Sequence, residues 1–184
     1  MCNFASMIVL KNGDVLHHAL LDSHSDLVSY FKLPDTTPHM QHFAKVELTP
    51  MDWLDAATWQ FRLDDETAPG WWDDVRESAE ARCRAIVDKM MLRSGEYRLI
   101  VDGCWIVGGS ARVSDVRAGR IVRAFGSAQI RGVGGSAQIH GVWGSAQIHG
   151  VGDSAQIHDV RGSAQIHGVV GSAQIHGVWG SAQI

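Results

Sequence analysis

From Ala118 to Ile184, apolar and polar residues recur with a period of nine in the unit Ser-Ala-Gln-Ile-His-Gly-Val-x-Gly. Ala and Ile stand two positions apart, so on a strand they share one face, while Ser, Gln and His take the other. Val follows Ile by three, after a bend that Gly permits. The pattern predicts an inner column of Ile121, Ile130, Ile139, Ile148, Ile157, Ile166, Ile175 and Ile184. A unit this short cannot bury its apolar face alone and must stack on copies of itself, which defines a β-solenoid. The eighth position alternates in size through Phe125, Gly134, Trp143, Gly152, Arg161, Val170 and Trp179. Large and small residues taking turns imply two units, about eighteen residues, per coil.

The first hundred residues pattern differently. Phe4–Leu10, the turn Lys11-Asn12-Gly13-Asp14 and Val15–His18 predict a hairpin, with Asn-Gly supplying the positive φ angles of a tight turn. Asp22 to Asp26 offer N-cap candidates for a short helix over Leu27–Phe31. His42–Leu48 and Thr58–Leu63 read as strands. Trp72, Val75, Ala79, Cys83, Ile86 and Met90 recur near helical spacing and predict a helix from Trp71 to about Leu92. Acidic Asp73, Asp74 and Glu77 at its start, and basic Lys89 and Arg93 at its end, suit the helix dipole. After Ser94-Gly95 the chain turns strand-like. The expected organisation is a small α+β domain over 1–98, transition strands over 99–117 and a solenoid over 118–184.

The Ser-Ala-Gln-Ile-His-Gly cassette, and the looser Gly109-Ser110-Ala111-Arg112-Val113, resemble the short repeats of bacterial and phage β-solenoids. Pentapeptide-repeat and hexapeptide-repeat proteins are similar. The resemblance implies architecture and, through its phage members, an accessory or anti-defence role. The calcium-binding nonapeptide roll shares the period of nine but needs a repeating Asp that these units lack, so calcium is not expected.

Charge narrows the function classes. The net charge of −4 is uneven. Residues 126–184 carry only Arg131, Asp153, Asp159 and Arg161, which cancel, so the acidity lies in the first 125 residues. Neither part is basic enough to predict a phosphate-driven grip on nucleic acid. Three cysteines without a paired framework point to a reducing compartment, and the N-terminus lacks the basic n-region of a signal peptide. No apolar run approaches a membrane span. A cytoplasmic protein, with no cofactor and no metal, is expected.

Two function classes compete. In the first, the solenoid is a non-enzymatic protein-binding module. Phe125, Trp143, Arg161 and Trp179 form its stripe, since Trp and Arg dominate interface hot spots. Ile175, Val178 and Ile184 would then lie at an uncapped end that pairs two copies into a homodimer. In the second, Cys2 is a nucleophile: a chain beginning Met-Cys is similar to N-terminal-nucleophile amidohydrolases and to the abasic-site crosslinking family. That reading needs removal of Met1, which frees an α-amine to serve as base; His17, His18 and His24 are near in sequence, and the hairpin can bring His17 or His18 beside Cys2. Asp22, His24 and Asp26, with His17 and His18, also suggest a metal site, but Asp22 to Asp26 read more simply as a helix cap.

Overall fold

The computed structural model describes residues 5–34 and 42–184. The chain divides into two compact units, 1–89 and 90–184.

In the first unit, β1 (Ser6–Leu10) turns through Asn12-Gly13 into β2 (Val15–Leu16). Gly13 has φ +81°, which the tight turn requires, and Asn12 clamps Asp14 at 2.8 Å. Helix α1 (His24–Tyr30) starts where Ser23 accepts the backbone N–H of Asp26 at 3.0 Å. Strand β3 (Phe43–Thr49) pairs antiparallel with β1, and β4 (Gln60–Leu63) with β3, giving the order β2-β1-β3-β4. Ile8, Leu27 and Phe43 form a core cluster with Leu10, Val28 and Phe31. Helix α2 (Trp72–Lys89) buries Trp72, Ala79, Cys83 and Val87, and Arg82 on it donates to the carbonyl of Gly13 and to Asp14, both at 2.8 Å. The helix stops earlier than its apolar spacing predicts. Met91–Leu92 instead form strand β5 and pair with residues 106 and 107, so this apolar pair is held by the first turn of the solenoid.

The second unit is a β-solenoid of about five turns, roughly 17 residues apart. One sheet comprises β6 (Glu96–Tyr97), β8 (Arg112–Val116), β10 (Gln129–Val133), β12 (Gln147–Ile148) and β14 (Gln165–Ile166). The other comprises β5, β7 (Cys104–Val107), β9 (Arg120–Ala124), β11 (Gln138–Ile139), β13 (Gln156–Ile157) and β15 (Gln174–Ile175). All pairings are parallel. Partners lie eighteen residues apart in the later turns, as in Gln129 with Gln147 and Gln156 with Gln174. Nearer the start they tighten, to seventeen for Ile130 with Val113 and sixteen for Tyr97 with Val113.

Of the predicted inner column, Ile121 to Ile166 are buried, whereas Ile175 is half-buried and Ile184 is exposed. Ala128, Ile130, Ala146 and Ile148 on one sheet, and Ala137, Ile139, Ala155 and Ile157 on the other, are fully buried, with Val142, Val151 and Val160 at the bends. The closing residue of each unit is left-handed: Gly126, Gly135, Gly144, Gly162, Gly171 and Gly180 all have φ between +59° and +73°. Asp153 takes the same place at φ +54°, a conformation Asp tolerates better than most residues. Its carboxylate accepts the N–H of Gly135 at 2.8 Å.

Candidate functional site

Two constellations concentrate polar or aromatic side chains. The first lies in the N-terminal sheet. Antiparallel pairing of β3 with β4 sets Glu47 opposite Arg62, and α1 begins at His24 beside them. His24 is buried, with Nε2 3.0 Å from the carbonyl of Val46 and Nδ1 3.3 Å from Asp64. Arg62 donates to Glu47 at 3.2 Å and to Asp64 at 3.1 Å, and Ser6 reaches Glu47 at 3.5 Å. Ligand atoms of His24, Glu47 and Asp64 lie within 4.8 Å of one another, a spacing compatible with a metal ion. Two features weigh against it. Both imidazole nitrogens already face oxygen partners, so a metal ion would have to displace one of them. The Arg62 guanidinium, moreover, lies against both carboxylates, where a cation would have to bind. The arrangement is a charge-paired scaffold joining β1, α1, β3 and β4. Sequence reasoning missed Glu47 and Asp64; the available signal was a carboxylate inside the apolar strand Phe43–Thr49.

The second constellation follows one corner of the solenoid. Trp143 donates its backbone N–H to the carbonyl of Ala124, Arg161 to Val142 and Trp179 to Val160, each at 2.8–2.9 Å. Those bonds, with the bridges Ala124 to Val142, Val142 to Val160 and Val160 to Val178, put Phe125, Trp143, Arg161 and Trp179 on successive rungs of one corner. The rings are not equivalent. Trp143 is half-buried, with the Arg123 guanidinium 3.5 Å from its ring centre and that of Arg161 at 5.4 Å. Its indole lies across Gly141, where a Cβ would come within 2.9 Å of Nε1, and that N–H is buried without a hydrogen-bond partner. Trp179, one residue beyond the matching Gly177–Val178 bend, is 61% exposed. Arg123 also went unrecognised in sequence. It occupies the position that Gly141 takes one coil later, an Arg in place of the unit's sixth-position Gly. Burial lowers its pKa to about 10, opposed by Asp159 and reinforced by Arg161.

The opposite corner carries Gly134, Gly152 and Val170 and opens as a shallow groove of about 410 Å³. Arg117 bridges it to Asp153 at 3.4 Å. On the outer face of one sheet stand repeated polar residues: Gln147, Gln165 and Gln183 link side chain to side chain at 3.5 and 3.4 Å.

The remaining candidates disperse. Cys2 lies outside the described residues. His17 and His18 are half-buried near β2, and His18 accepts the N–H of Leu20 at 3.2 Å while its ring lies 4.5 Å from that of Tyr30. Asp22 and Asp26 are not in the His24 cluster. In the last coil Ile175 is half-buried and Val178 and Ile184 are exposed.

Among the described residues no helix is long and apolar enough to cross a membrane. The fold and the corner together define the class: a β-solenoid repeat protein preceded by a small α+β unit. Compared with known protein families, curated proteins and solved structures, the chain matches none.

Proposed function

We propose that this chain is a non-enzymatic protein-interaction module that binds its partner along the Phe125–Trp143–Arg161–Trp179 corner. The nine-residue unit builds half a coil, so that every second unit returns a large residue to this corner. The observation that carries the reading is the contrast on one edge between Trp143, half-buried beneath the Arg123 guanidinium, and Trp179, which lies on Gly177 as Trp143 lies on Gly141 yet is 61% exposed. A half-buried indole stabilises the corner, while an exposed one beside it offers a large apolar anchor of the kind that dominates interface energetics. The adjacent guanidiniums suit a partner surface carrying carboxylates. The likeness of the cassettes to phage solenoids extends the proposal to an accessory or anti-defence inhibitor that grips a host protein in the cytoplasm. The N-terminal unit supports this reading indirectly, because its best-formed polar cluster is saturated by its own charge pairs.

The experiment is site-specific photocrosslinking. A photoreactive phenylalanine analogue is placed at position 179, and as a control at position 71 in the N-terminal unit. A discrete adduct formed from 179 and absent from 71, identified by mass and rebuilt with the purified partner, is the expected result. Equal labelling from both positions, or none from 179, defeats the proposal.

A further inference from the structure

Five of the ten histidines belong to the fifth position of the repeat, and parallel stacking gathers them into two columns. On one sheet the ring centres of His140 and His158 are 5.2 Å apart and those of His158 and His176 are 5.0 Å apart. On the other, His149 and His167 are separated by 5.3 Å. The last two pairs are nearly parallel, at 12° and 18°. All five residues are exposed. Their backbones cannot drift: His158 donates to Ile139 and His176 to Ile157, both at 2.9 Å, so each ring is fixed to its rung at the Cα.

The geometry points to these columns as chelating sites for a first-row divalent transition ion such as Ni²⁺, Cu²⁺ or Zn²⁺. Imidazole nitrogen is the ligand such ions favour, binding at about 2.0–2.1 Å. A tetrahedral ion held by two rings at that length needs their nitrogens about 3.4 Å apart. Ring centres near 5 Å reach that when two tips lean together, and exposed side chains change rotamer freely. The backbone spacing of adjacent rungs is thus already right, and only side-chain torsions must adjust. Water, or donors from a second molecule, completes the coordination.

The ladder dictates an unusual dependence on position. His140 and His176 stand two rungs apart, about 10 Å, too far to share an ion. His158 is therefore common to every pair on its sheet, and that column holds one ion. His149 and His167 hold one more. His158–His176, the closest and most parallel pair, is the favoured seat of the first, so His140 is dispensable.

The test is calorimetric titration of the tag-free full chain with Ni²⁺. Two ions per chain are expected from the columns. His158→Ala should lose one, His149→Ala the other, the double variant both, and His140→Ala neither. His158→Gln, which copies the neighbouring exposed Gln columns, repeats the first variant with the rung's polarity kept, and unchanged circular dichroism confirms folding. Binding by the double variant equal to that of the wild type overturns the inference, as does loss of an ion in His140→Ala equal to that in His158→Ala.

Discussion

Replacing Trp143 separates the two roles assigned to the aromatic corner. Trp143→Ala removes a half-buried indole lying on Gly141 and facing two guanidiniums at 3.5 and 5.4 Å. A fully buried Trp truncated to Ala costs about 3–5 kcal/mol, so a half-buried one forfeits about half of that. The lost cation–π contact adds about 0.5–1 kcal/mol. Against these stands the buried Nε1–H, whose missing hydrogen bond costs the folded state about 1–3 kcal/mol and vanishes with the ring. The terms leave a net loss centred near about 1 kcal/mol, or roughly 4–8 °C in the melting of a unit this size. Trp143→Phe sharpens the argument. It keeps most of the apolar contact and deletes the orphaned donor, so its melting temperature should equal or exceed that of the wild type. Calorimetric melts of both variants, followed through the solenoid transition, give the answer. A Phe variant as destabilised as the Ala variant refutes the corner's energetics.

Other perturbations follow from the same geometry. Gly135→Ala sets a Cβ 2.2 Å from the carbonyl oxygen of Arg117 in a left-handed conformation, and only backbone movement relieves it. It should cost several kcal/mol, by order of magnitude, in a chemical melt, whereas Gly70→Ala, with open space around it, should cost less than about 0.5 kcal/mol. The Cys83 thiol is fully buried and pushed up to about 12, chiefly by burial and then by Glu80. It should resist iodoacetamide at pH 8 until the chain unfolds. Because the folded thiol keeps its proton after the unfolded one has lost it, this group leaves stability unchanged below about pH 9 and lowers it as pH rises from there toward 12. A Cys83→Ala variant should lack that alkaline decline.

The solenoid was legible because its repeat states inward and outward positions again and again, from Ala128–Ile130 to Ala164–Ile166. Its first turns were not. Met91–Leu92 and Glu96–Tyr97 carry none of the cassette, and their ladder spacing is shorter, so an apolar run at helical spacing extended the predicted helix over the first rung. The aromatic corner followed from the alternating eighth position, yet the unequal burial of Trp143 and Trp179 depended on a neighbour, Arg123, whose reach across a rung no period announces. The cluster of His24, Glu47, Arg62 and Asp64 was least legible: its members come from three elements and meet only through strand pairing. In sequence, His24 read as part of a cap and as a candidate base; the structure adds its two partners, the carbonyl of Val46 and the carboxylate of Asp64.

The most direct test of the interaction proposal is the affinity of the protein crosslinked at position 179, once purified, for wild-type chain and for Trp179→Ala. With the residue 61% exposed, Trp179 contributes little to folding, so the variant should melt within about 0.5 kcal/mol of the wild type. As an interface anchor its loss should weaken binding by about 2 kcal/mol or more, close to thirtyfold in Kd. Equal Kd values for the two chains, both fully folded, would contradict the account.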